Sequence, residues 1–118
     1  MVILVVDNDA ESLRNLENYI HTCRKEDEII SFVDAVGAME YIREHDVDTL
    51  FTEVKMQGAT GFTLTKCLKD KAPNSYVIFV TESPEYAMHA WEAHVSGYLL
   101  KPFDLKKVQT ELEYAILN

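Results

Sequence analysis

The segment DTLFTEVKMQGATGF, Asp48 to Phe62, decides the fold. Its opening is a short, largely apolar run without alternation, and it breaks into a loop carrying Gly58 and Gly61. A strand covered on both faces reads this way, as in a parallel sheet. Glu53 stands where the strand ends, so a carboxylate is presented at a place where α/β sheets build sites.

Working outward, the same kind of run recurs at VILVV (2–6), EIISFV (28–33), YVIFVT (76–81) and GYLLK (97–101). Amphipathic segments separate the runs. Leu13, Leu16, Ile20 and Cys23 recur at helical spacing, as do Leu105, Val108, Leu112 and Ala115. Asp9 or Ser12 suits the cap of the first helix and Asp104 that of the last. Ser83-Pro84 suits the start of a helix carrying Ala87, Ala90 and Trp91, whose register with Ala87 places Trp91 in the core. Gly61 and KAPN (71–74) bracket a further helix around Leu64 and Leu68. Five strands alternating with five helices over short connections specify an α/β, doubly wound parallel sheet in a three-layer sandwich. The pattern fills residues 1–118 as a single domain, without repeat or linker.

Composition narrows the function. Hydrophobic residues are 47% of the chain and charged residues 26%, the balance of an ordinary globular protein. Eleven Lys and Arg stand against twenty Asp and Glu, a net charge of −9, which argues against direct nucleic-acid binding by this domain. No apolar run approaches a membrane span of roughly 20 residues, and MVILVV is too short for a signal-peptide core, so a cytoplasmic protein is expected. Cys23 and Cys67 lack metal-ligand spacing and read as buried free thiols.

In such sheets, sites form beyond the carboxyl ends of the strands. The first strand there presents Asp7, Asn8 and Asp9, the third Glu53, the fourth Thr81 and Glu82, and the fifth Lys101 and Pro102. Carboxylates and amide oxygens suit a hard divalent cation such as magnesium. Lys101 suits an anion, and Thr81 can donate a hydrogen bond to it. A lone Asp at a strand end is usually a helix cap, and a lone Lys is usually solvated. Four strand ends converging carry more weight.

These residues resemble the receiver domain of bacterial two-component response regulators. The resemblance rests on ILVVDND (3–9), DTLFTEVKMQGATGF (48–62), VIFVTESPEYAMHAWE (77–92) and SGYLLKPF (96–103), and the last two look like the LytTR-type branch. It implies a five-stranded flavodoxin-like sheet in the order 2-1-3-4-5. It also implies a phosphoacceptor position at Glu53, a magnesium set of Asp7, Asn8 and Glu53, phosphoryl contacts from Thr81 and Lys101, and an inward-turning aromatic switch at Tyr98. The Lys101-Pro102 bond is expected to be cis. Implied partners are a histidine kinase and an output domain or protein met by the fourth helix, fifth strand and fifth helix, a face that includes Tyr86, His89, Glu92, Tyr98 and Lys106. A homodimer through this face is also open. LytTR-type regulators usually attach a DNA-binding domain, and no segment of these 118 residues reads as one.

The departures share a direction. Glu53 replaces the family's aspartate, Asn8 the second acidic residue, Gln57 a proline, and Glu82 a small residue. Glu sets its carboxylate one methylene further out, roughly 1.5 Å. Phosphoryl transfer depends on positioning, and an Å-scale misplacement costs on the order of a hundredfold. Asn8 removes charge from the magnesium set, so the metal is doubtful. The expected function is an atypical receiver that acts by protein contacts and is not itself an enzyme. Its longer carboxylate would reach toward Lys101 and Thr81. Two alternatives stay open: a competent receiver using Glu53 or Asp9 with magnesium, and a flavodoxin-like ligand-binding module or small enzyme.

Overall fold

A computed structural model describes residues 1–117. The elements alternate along the chain: β1 (Val2–Val6), α1 (Ala10–Cys23), β2 (Glu28–Phe32), α2 (Ala35–Glu44), β3 (Thr49–Thr52), α3 (Gly61–Lys71), β4 (Tyr76–Thr81), α4 (Ala87–Glu92), β5 (Gly97–Leu100) and α5 (Leu105–Leu117). A 3-10 turn, Pro84–Tyr86, leads into α4. Asn118, expected at the end of the last helix, lies outside the described residues. The strands form one parallel sheet in the order β2-β1-β3-β4-β5, as the resemblance implied.

Successive side chains of a strand point to opposite faces, so runs apolar throughout supply two cores. On one face Leu4, Val6, Leu50, Val77 and Phe79 pack with Ala38, Ile42, Leu64, Leu68 and Ala90, which come from α2, α3 and α4. On the other, Ile3, Val5, Phe51, Ile78, Val80 and Leu99 pack with Leu13, Leu16, Ile20, Val108 and Leu112 from α1 and α5. Phe51 and Phe79 are wholly buried on opposite faces. Truncating a buried Phe to Ala typically costs about 3–5 kcal/mol, so each core is anchored by its own aromatic side chain.

Polar side chains set the helix ends. The Asp9 carboxylate accepts the backbone N–H groups of Glu11 and Ser12, so Asp9, not Ser12, caps α1. Asp34 caps α2 through Gly37. Thr60 and Thr63 form a reciprocal capping box on α3, and Asp104 accepts the Lys107 N–H at the start of α5. Lys71, at the end of α3, donates to the carbonyls of Ile42, Arg43 and His45 and so fastens the end of α2 to α3.

Three kinds of expectation need correction: strand ends, cysteine burial and the place of Trp91. Asp48, Val33 and Lys101 each fall one residue outside a strand. Asp48 turns its carboxylate onto the Val2 N–H instead of extending β3. The cysteines are free thiols but only half-buried. Trp91 is not in the core: it is 80% exposed, beside Met88 at 72%. The reason is the length of α4, whose six residues bury Ala90 alone. Ala87, the residue whose register placed Trp91 inside, is itself exposed.

Candidate functional site

Three strand ends bring charge together. Asp7 directly follows β1 and is 1% exposed, with its Oδ1 accepting the Asp9 N–H at 2.9 Å. Glu53 directly follows β3, where its N–H donates to the Val6 carbonyl at 2.9 Å. Lys101 directly follows β5, its N–H donating to the Thr81 carbonyl at 2.8 Å. From there the Lys101 ammonium lies 2.8 Å from Asp7 Oδ2 and 3.0 Å from Glu53 Oε1. The contact to Glu53 is a hydrogen bond, whereas the one to Asp7 is an ion pair outside hydrogen-bond angles. Glu53 Oε2 accepts the Val54 N–H at 2.7 Å, so both oxygens of that carboxylate are engaged.

The protonation balance follows from burial and pairing. Burial, only partly offset by Lys101 and the Asp9 N–H, pushes the Asp7 carboxyl above the usual carboxylate range. Burial alone would lower the Lys101 ammonium, but its contacts with Asp7 and Glu53 outweigh that and hold it above the ordinary lysine value. The cation is therefore held charged more firmly than the Asp7 carboxylate beside it.

The backbone beneath Glu53 is equally constrained. Gly61, the first residue of α3, donates its N–H to the Val54 carbonyl at 2.9 Å. A Cβ at Gly61 would stand 2.6 Å from the Glu53 carbonyl oxygen, closer than any side chain tolerates. The helix can approach the strand end only because residue 61 is glycine.

The remaining expected site residues lie around this cluster. Asn8 is exposed, and among the described residues no hydrogen bond joins its side chain to the cluster; the Asp9 carboxylate is spent on the α1 cap. Asp9, Glu11 and Glu82 line an open crevice beside Lys101, giving it an acidic rim. Thr81 is buried, yet its Oγ1 accepts the Ser83 N–H at 3.4 Å; the expected reach from Glu53 to Thr81 is not made. Tyr98 is half-buried and its hydroxyl donates to the Ser83 carbonyl, with its ring 6.3 Å from that of Phe79. Burial raises the Tyr98 phenol above its ordinary value. The Lys101-Pro102 bond is cis. Two contributors were missed by sequence reasoning. The Val54 N–H has no side-chain signature at all. Ser83 was read only as a helix start, although three of its groups carry hydrogen bonds.

The donor set can be weighed against magnesium. Among the described residues no three His, Cys, Asp or Glu side chains are grouped as metal ligands. The single Lys101 ammonium between Asp7 and Glu53 offsets one carboxylate charge, and Asn8 brings none. In this arrangement the set does not fit a divalent cation, because Lys101 already stands between the two carboxylates.

A strand-end acid pair with a lysine, on a five-stranded parallel sheet of this order, defines a class, and sequence comparison gives it a family. Residues 3–113 match the response regulator receiver domain, and the chain belongs to that family. It is thus a receiver domain of two-component signal transduction. Among its relatives is the sensory transduction protein LytT of Bacillus subtilis (strain 168), 29% identical over 111 residues, covering 94% of this chain and 46% of that protein. The transcriptional regulatory protein BtsR of Salmonella typhimurium is 32% identical over 113 residues, covering 93% and 46%. The chain therefore spans about half the length of these curated relatives. The solved response regulatory domain of MrkE from Klebsiella pneumoniae shares the fold with a TM-score of 0.90 at 23% identity, covering 99% of this chain and 96% of that one. No helix among the described residues is long and apolar enough to cross a membrane.

Proposed function

We propose that this receiver domain signals through protein contacts without using Glu53 as a phosphoacceptor. The observation that carries this is the engagement of both Glu53 oxygens, one by the Lys101 ammonium and one by the Val54 N–H. A carboxylate held in this way must loosen one of these bonds to turn an oxygen in line with a phosphoryl group, and its extra methylene displaces it further. Glu53 instead supplies one fixed negative charge where phosphorylation would add about two, so any mimicry of the phosphorylated state is partial. Asp9 is a poor substitute acceptor, since its carboxylate caps α1. Magnesium has no part in this reading.

The contact face is that of α4, β5 and α5, where His89, Glu92 and Lys106 are exposed and Tyr86 and Tyr98 half-buried. Exposure of Met88 and Trp91 on α4 supports it, because adjacent large apolar side chains at the surface commonly mark a contact site. An output domain, a histidine kinase or a second copy of the chain would meet it there, in the cytoplasm. The test is incubation with magnesium and a small-molecule phosphodonor, read by intact mass and peptide mapping. The expected result is no stable adduct. A phosphoryl adduct mapping to Glu53 would sink the proposal.

A further inference from the structure

The opposite end of the sheet carries a second polar cleft. Lys69, Asn74, Ser75, Tyr76, Ser96 and Tyr114 line an open space of about 660 Å³ where α3 turns into β4. The six residues of β4 separate it from the Asp7–Glu53–Lys101 cluster, roughly 20 Å at the rise of a strand. Its cation is Lys69, whose Nζ donates to the carbonyls of Ser75 and, at 3.5 Å, Pro73. An ammonium has three donors, so one is left over. Among the described residues no carboxylate forms an ion pair with it. Burial alone holds this ammonium below the ordinary lysine value, with no acid to counter it.

The second observation is the Ser75 hydroxyl. Ser75 is 7% exposed, and among the described residues its Oγ finds no hydrogen-bond partner. Leaving a buried hydroxyl unpaired costs stability, so this donor is unspent. Beside it the Ser96 Oγ accepts the Val77 N–H at 3.3 Å, which leaves its own O–H to donate. Asn74 adds an exposed amide. Ser75 also borders a neighbouring cleft that contains Arg24, but that guanidinium already pairs with Asp27. The unbalanced charge is therefore on the Lys69 side. Glu111 is the acid tied to this wall, accepting the Tyr76 hydroxyl at 3.5 Å. Burial raises its carboxyl above the usual range, so its opposing charge is the more easily lost.

We propose that this cleft binds the phosphoryl group of free phosphate or a small phosphomonoester, with Lys69 supplying the charge and Ser75 and Ser96 the hydroxyl donors. A phosphoryl group offers three terminal oxygens in a tetrahedral array, whereas a carboxylate offers two in one plane. It can therefore meet a cation and two hydroxyls arriving from different directions. The space exceeds a phosphate ion, and Tyr76 and Tyr114 border the remainder, so an organic group fits beside it. The site does not depend on how Glu53 is used. It gives the chain a small-molecule input at the end of the sheet away from its acceptor position.

The experiment is an amide NMR titration of the full chain with inorganic phosphate and with phenyl phosphate at fixed ionic strength, with acetate as control. Saturable shifts are expected at Ser75, Tyr76, Val77 and Ser96. Tighter binding of phenyl phosphate assigns a phosphomonoester, and binding of inorganic phosphate alone assigns the free ion. Acetate is expected to bind about tenfold more weakly, for want of one hydrogen bond to a charged group. Ser75→Ala should weaken phosphate binding by about the same factor, while leaving stability without phosphate unchanged or slightly raised. Lys69→Gln keeps a donor for the turn and should abolish saturation. Where Lys69→Gln disturbs the turn, Ser75→Ala alone decides. Shifts that never saturate, or that are as large at Lys55 and Lys66, would mean an adventitious ion only and overturn the proposal. Shifts confined to Val54 and Lys101 would place the anion at the charged cluster and overturn it too. Acetate binding as tightly as phosphate, or a Ser75→Ala protein that binds phosphate like the wild type, would have the same consequence.

Discussion

The Asp7–Glu53–Lys101 cluster and the Ser83 loop sit at neighbouring strand ends but are held by different means. The cluster joins three strands through charges almost shut off from water, with side-chain exposures of 1% for Asp7, 12% for Glu53 and 11% for Lys101. The loop joins two strands and a short helix through neutral hydrogen bonds, and the helix it carries exposes its largest apolar side chains. Buried charges are costly to disturb, because a survivor left unpaired keeps its full desolvation penalty. Neutral bonds near the surface can break and re-form against water at about 1 kcal/mol. The receiver thus keeps a rigid charged centre next to a corner that can move.

The strongest attempt to break this contrast is Lys101→Met. It leaves Asp7 buried without its cation and is expected to cost about 3–5 kcal/mol in urea unfolding. Adding Asp7→Asn should recover more than half, since the stranded charge is then gone. A loss below about 1 kcal/mol for Lys101→Met alone would place the pair with ordinary surface ion pairs and erase the contrast.

Next in size is Ser83→Ala, expected to cost about 0.5–2 kcal/mol, the range for a lost N-terminal cap. Its effect should be local, with exchange faster in the turn and α4 than in the core strands.

Alkaline titration sharpens the comparison on the charged side. The folded-state value of Lys101 lies above the ordinary lysine value of 10.5, so the stability contributed by its ammonium is fully present below pH 10.5. It is lost as pH rises through the folded value. On the alkaline side, the difference in unfolding free energy between wild type and Lys101→Met should therefore hold up to about pH 10.5 and shrink beyond it.

The smallest effect belongs to Trp91→Ser, expected to change stability by no more than about 0.5 kcal/mol because the side chain is already in water. The same substitution should weaken whatever contact the α4 face makes. A loss of several kcal/mol in the isolated chain would show that Trp91 packs after all.

The sequence made the sheet legible because its strands are apolar on both faces, and runs such as YVIFVT have no other comfortable place. Asp7, Thr81 and Lys101 were legible for a topological reason: parallel strands point all their carboxyl ends to one side. The partners of these groups were not legible. Nothing in the residue order tells whether Lys101 chooses Asp7, Glu53 or both, and that depends on side-chain reach across 48 residues of separation from Glu53. Thr81 was expected to face Glu53, but a local bond two residues along the chain captured its hydroxyl oxygen. Trp91 was misplaced because helical periodicity assumes a helix long enough to have an inner face, and α4 stops after six residues.

Gly61 gives the site a direction in which it can drift. The carboxylate at residue 53 is held through its two oxygens by the Lys101 ammonium and the Val54 N–H, contacts that a side chain of another length can alter without moving the backbone. The carbonyl of the same residue has no such latitude, with only 2.6 Å between it and the position a methyl group would take on Gly61. In a deep mutational scan read by folding alone, position 53 should therefore accept polar residues that still pair with Lys101, and position 61 almost none. Variation that the scaffold permits at the reactive end of Glu53 is forbidden at its backbone, which lets the chemistry of the position change while the strand end that presents it stays put.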